Sequence, residues 1–113
     1  MAVTSQPPQS EPFRCDVVHA RRAVRVRPLG ELDLETAPVV ARELQRLRDS
    51  GFDDLVLDLQ GVTFADSTAL RMMLVWTELS RADGFAFRLV RGPQCVERLF
   101  ELTATEPYFD FAE

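Results

Sequence analysis

A chain of 113 residues, 46% apolar and 27% charged, holds enough hydrophobic material to close one core without disulfides or metal, and a second domain is not expected within it. The formal net charge of −5 argues against nucleic acid as a partner, because counterion release needs a clustered basic face. No stretch approaches the roughly 20 apolar residues of a bilayer span, the N-terminus lacks the basic and apolar regions of a secretion signal, and Cys15 and Cys95 lack metal-ligand spacing, so the expectation is a cytoplasmic protein with no membrane insertion, no metal and no cofactor.

Residues 1–12 are rich in Pro, Gln and Ser without apolar periodicity and are expected to form a flexible tail, with the domain spanning 13–113. Phe13, Cys15 and Val17 alternate with Arg14 and Asp16, and Val24 and Val26 alternate with Arg25 and Arg27. That pattern predicts two strands of a hairpin, each with one wet face, and it assigns the arginines at 21, 22, 25 and 27 to a solvated sheet surface. Pro28-Leu29-Gly30-Glu31 is expected to end the second strand. Leu34, Ala37, Val40, Ala41, Leu44 and Leu47 recur at helical spacing, which predicts a helix over 34–49 with Asp33 as its N-cap and Asp49-Ser50-Gly51 as its stop.

The apolar run at 55–59 suits a central strand, with Asp58 expected to point outward on the wet face rather than to serve the next loop. Gly61 turns the chain, and Val62 and Phe64 are expected to tuck the following segment against the core. A helix over 67–82 comes next. Leu70, Met73, Leu74 and Thr77 form one apolar stripe, Met72, Val75 and Leu79 lie almost opposite, and Trp76 falls on the flank between them. So wide an apolar arc is covered on two sides, either by the domain itself or by the domain and a partner that reaches Met72 and Trp76. Phe85, Phe87 and Leu89 predict a strand, Gly92-Pro93 opens a last helix, and Tyr108, Phe109 and Phe111 suggest a short strand or docked tail. The predicted fold class is a single α/β domain, with a mixed, largely parallel sheet, helices mainly on one face, and the order β-β-α-β-α-β-α.

The most informative segment is Asp66-Ser67-Thr68-Ala69-Leu70, which displays two hydroxyls where a buried strand has ended and a helix begins. Amides of a first helical turn lack internal partners and carry partial positive charge, so a phosphate attached there is partly compensated by the backbone. An ordinary helix cap explains the same three residues equally well on chemistry alone. With no lysine in the chain and its single histidine, His19, far away in sequence, nucleophilic or phosphoryl-transfer catalysis at Ser67 lacks a base. The chain is therefore not expected to be an enzyme.

Gly30-Glu31-Leu32-Asp33, the strand Leu55-Val56-Leu57-Asp58-Leu59 and the segment from Val62 to Leu70 together resemble the STAS domain of bacterial anti-sigma factor antagonists. The resemblance covers roughly Phe13 to Phe111. It implies a protein that binds an anti-sigma factor serine kinase, frees the sigma factor, and loses that binding when the kinase phosphorylates the serine after the aspartate; a PP2C-type phosphatase reverses the modification. Carried onto this chain, the acceptor is Ser67, with Thr68 as the alternative. The partner-binding residues then expected are Asp33, Asp66, Ser67, Thr68, Ala69, Met72 and Trp76, and the free protein is expected to be a monomer. The family pattern usually has glycine where this chain has Ala69. The alternative within the same family is a non-switching subunit, such as that of a lipid-transport ABC complex, in which Ser67 is only a cap.

Overall fold

The computed structural model describes residues 12–21 and 23–112; of the expected tail only Pro12 falls within them. β1 (Arg14–Ala20) runs antiparallel to β2 (Ala23–Leu32), with Val17 opposite Val26 and Cys15 opposite Pro28. The chain continues through α1 (Ala37–Asp49), β3 (Asp54–Asp58), β4 (Val62–Ala65), α2 (Ser67–Asp83), β5 (Ala86–Val90) and α3 (Gln94–Thr103) to a 3-10 turn at Glu106–Tyr108. The sheet order is β1-β2-β3-β5, with β4 paired to the far end of β2, and every pairing after the hairpin is parallel.

One face of the sheet carries the core. Val24, Val26, Leu55, Leu57, Phe87 and Leu89 are buried there in one cluster with Val40 and Leu44 of α1, Met73 of α2 and Phe100 of α3. The opposite face presents Arg25, Arg27 and Arg88 to solvent at side-chain exposures near 40%. The arrangement of a mostly parallel sheet with three helices is the one that the alternating strands predict.

Several local expectations are corrected. β2 runs straight through Pro28 and Gly30 instead of ending there. Its neighbour changes between Val26, the last residue paired with β3, and Gly30, the first paired with β4, so Pro28 falls where no ladder bond is required on that side. A bulge at Gly30/Glu31 absorbs the change of register, and Gly30 takes a φ of +121° that a side chain would oppose. The segment after Gly61 is a fifth strand, β4, and while Val62 is buried, Phe64 points outward at 47% exposure rather than tucking against the core. α1 begins at Ala37, three residues later than its periodicity suggests, with Thr36 as N-cap.

Asp58 is the largest correction. It is 0% exposed, not on a wet surface. Its Oδ2 accepts from Arg25 Nη1 and Arg27 Nε at 3.0 Å each, and its Oδ1 accepts from the Gln60 amide at 3.0 Å. The arginines of the neighbouring strand lie over the carboxylate and exclude water while neutralising it. At the other side of the same turn, a Cβ on Gly92 would stand 2.5 Å from the Leu59 carbonyl oxygen, so only glycine lets the chain approach before α3. The two contacts fix the β3–β4 turn, and hence the strand that leads into α2.

Candidate functional site at the head of helix α2

Two strand ends meet at the start of α2. Leu32 of β2 pairs with Ala65 of β4, and the Leu32 carbonyl accepts from the Asp66 amide at 3.3 Å, so the next residue on each strand, Asp33 and Asp66, emerge side by side. Asp66 is the N-cap of α2, its Oδ1 accepting from the amides of Thr68 at 2.9 Å and Ala69 at 3.2 Å. That bond satisfies two of the orphan donors of the first turn and fixes the position of the residue between. Ser67 is exposed and, among the described residues, its hydroxyl has no hydrogen-bond partner; Thr68 is half-buried and Ala69 wholly buried.

Asp33 does not cap α1 directly. Its Oδ1 accepts from the amides of Glu35 at 3.0 Å and Thr36 at 3.2 Å, while the Thr36 hydroxyl donates to the Glu31 carbonyl at 2.6 Å and accepts from the Asp33 amide at 2.9 Å. The loop is thus latched to itself, and it holds Leu34 outward at 71% exposure. Periodicity placed Leu34 in the helix and overlooked Thr36; the signal that could have found the latch was the Asp-x-x-Thr spacing, in which each side chain can reach the other's backbone. Beside the loop lies an open groove of about 750 Å³, lined in part by Phe13, Glu31, Asp33, Glu35 and Thr63.

The burial of α2 divides it cleanly. Ala69, Leu70, Met72, Met73, Trp76, Thr77 and Ser80 face the domain, whereas Ser67, Arg71, Val75, Glu78 and Leu79 face solvent and Leu74 is partly covered. Met72 and Trp76, expected at a partner surface, are only 8% and 5% exposed. The indole packs near the rings of Phe85 and Phe87, with centroids 6.1 and 6.3 Å away, so the domain itself covers that flank. The apolar side chains left outside are Leu74, Val75 and Leu79, which with Arg71, Glu78 and Ala82 border a shallow depression of about 400 Å³. It begins one turn below Ser67 and runs along the same side of the helix. Buried hydroxyls on the other side turn back onto their own helix, Thr77 donating to the Met73 carbonyl at 2.8 Å and Ser80 to that of Thr77 at 2.7 Å.

His19 pairs with Val24 at the beginning of β2 and stacks near Phe52, whereas Ser67 lies beyond the end of that strand. No base is brought to the serine by the sheet. Among the described residues no cluster of His, Cys, Asp or Glu could hold a metal ion, and no helix is long and apolar enough to cross a membrane.

With a latched loop and an open serine side by side above a helix packed on one sheet face, the fold and its sequence pattern define a class. The STAS domain pattern matches residues 14–113, and the chain belongs to the STAS domain family. Among individual relatives, it is 28% identical over 97 residues to the anti-sigma-B factor antagonist of Bacillus subtilis, covering 86% of this chain and 88% of that one. Its fold is similar to that of an anti-sigma factor antagonist from Mycobacterium paratuberculosis, with a TM-score of 0.76 at 24% identity over 95% of this chain and 89% of the other. It is also similar to the anti-sigma factor antagonist SpoIIAA in its unphosphorylated form, with a TM-score of 0.70 at 18% identity over 90% and 89%. At those identities the structural likeness speaks for the fold.

Proposed function

We propose that this chain is an anti-sigma factor antagonist that works as a phosphorylation-controlled binding partner. Unmodified, it offers the Asp33–Thr36 loop, the first turn of α2 and the strip of Leu74, Val75 and Leu79 to an anti-sigma factor that is also a serine kinase, and so displaces the sigma factor. Phosphorylation of Ser67 by that kinase ends the association, and a PP2C-type phosphatase restores it. One observation carries this reading: the Ser67 hydroxyl is exposed and, among the described residues, unpartnered at the head of a helix whose solvent face carries an apolar strip of Leu74, Val75 and Leu79 between Arg71 and Glu78. The relative named as an anti-sigma-B factor antagonist, and the solved SpoIIAA structures in unphosphorylated and phosphorylated form, support it.

The physics of release is local. A phosphoserine adds about −1.5 to −2 charges beside Asp66 and Asp33. One like-charged pair at 4 Å is worth about 4 kcal/mol at an effective dielectric of 20, and a loss of roughly 3 kcal/mol weakens binding more than 100-fold. No rearrangement of the fold is required. The test is incubation with the cognate kinase and ATP, followed by intact mass and peptide mapping. A single phosphate on Ser67, abolished in Ser67→Ala and accompanied by loss of the complex, is the expected result. Modification of Thr68 alone, or a permanent complex indifferent to Ser67→Ala, would overturn the assignment, the latter in favour of a non-switching STAS subunit.

A further inference from the structure

Arg71 follows Ser67 by four residues in α2, and both are exposed. That spacing stacks them one turn apart on the same side of the helix. Helical side chains tilt toward the N-terminus, so a guanidinium at position 71, which borders the depression below, is also within reach of the first turn. Arg71 has no acid within reach along its own helix. The residues three and four positions away are Ser67, Thr68, Leu74 and Val75, and the first turn of α2 contains no acidic residue. Several other arginines are engaged, Arg25 and Arg27 with Asp58, Arg88 with Asp54, and Arg91 with Glu97 and Glu106, while Arg42 and Arg98, like Arg71, make no ion pair among the described residues but lie on other helices, away from Ser67. Among the described residues Arg71 makes no ion pair.

We propose that Arg71 is the intrachain partner of phosphorylated Ser67, a positioning residue that draws the phosphate down onto the exposed face of α2. The inference rests on the phosphorylation of Ser67 set out above. An anion four residues before a cation is the favourable order on a helix, and a guanidinium can offer two donors to phosphate oxygens. Modification then alters the docking face twice, adding a dianion at position 67 and withdrawing the free cation that borders Leu74 and Val75. The charge placed by the kinase is converted into a fixed feature of the strip rather than left waving above it.

The test installs phosphoserine at position 67 during synthesis, which removes any need for the kinase, and follows the phosphorus resonance through the second ionisation of the phosphate, near pH 6 in the free group. Wild type is compared with Arg71→Gln and Arg71→Lys. The wild-type phosphate is expected to ionise about half a pH unit below that of Arg71→Gln, with the lysine variant restoring most of the difference and about 1 M salt removing it. Asp66, Glu31, Asp33, Glu35 and Glu78 act on the phosphate in all three proteins, so the difference isolates Arg71. Identical titrations in wild type and Arg71→Gln would overturn the proposal and leave the switch standing. Failure of the kinase to modify Ser67 in the separate assay would count against the switch instead.

Discussion

Two aspartates at strand ends in this domain meet their charge in opposite ways. Asp58, last residue of β3, is wholly buried, and its oxygens are consumed by two guanidiniums and one amide. Asp66, one residue past β4, stays half-exposed, and its charge is met by two backbone amides of the helix it starts. The sheet face around Asp58 is electrostatically closed: cation and anion are matched within the chain, and little changes there without breaking something. The head of α2 is open, because backbone dipoles stabilise one carboxylate and leave a serine beside it free to carry another anion. The closed carboxylate thus ends β3 and the open one follows β4, two strands that pair in succession along β2.

The difference can be broken most forcefully at the closed end. Asp58→Ala leaves two arginines facing each other on the solvent side of the sheet, and because both can partly rehydrate the expected loss is about 3 kcal/mol in urea unfolding, at the lower end of the range for a broken buried pair. At the open end, Val75→Asp places a charge in the exposed strip and is expected to weaken kinase binding by about 30-fold, roughly 2 kcal/mol by titration calorimetry, with unfolding free energy unchanged within about 0.5 kcal/mol. Asp66→Ala removes a cap and costs about 1 kcal/mol of stability, with slower phosphorylation of Ser67 in a timed kinase assay. Ser67→Ala alters stability by less than about 0.5 kcal/mol while removing the acceptor. If Ser67→Ala instead destabilised as much as Asp66→Ala, the hydroxyl would be part of the cap and the contrast would fail.

The smallest effect concerns Cys15 of β1, whose thiol is pushed from an ordinary 9.0 up to about 11 by burial first and by the Glu43 and Asp16 carboxylates next. In a Cys95→Ala background its alkylation is expected to be slow near pH 8 and to rise about tenfold per pH unit until the thiolate predominates above 11, because only the thiolate reacts. A rate that levels off near pH 9 would show that the β1 edge is looser than its packing indicates.

Much of this was legible in residue pattern. Alternation fixed the hairpin and the one-sided sheet, and Asp66-Ser67-Thr68 marked the head of α2. What pattern missed depended on neighbours. Asp58 reads as a surface residue until Arg25 and Arg27 are brought alongside by the β2–β3 pairing, a contact separated by more than thirty residues. Pro28 reads as a strand end until the change of partner from β3 to β4 relieves it of a ladder bond. The circumference of α2 was apolar nearly all round, so sequence could not tell which flank the domain covers; Phe85 and Phe87 decide it by claiming Trp76, leaving Val75 and Leu79 outside.

The two margins of the sheet also differ. Beyond β5, Phe111 bridges to Leu89, with the Leu89 amide donating to the Asp110 carbonyl at 2.9 Å and the Ala112 amide to that of Leu89 at 2.8 Å. Among the described residues β1 pairs only with β2. The few residues of chain laid along the β5 border occupy backbone groups of Leu89 that a foreign strand would otherwise find open.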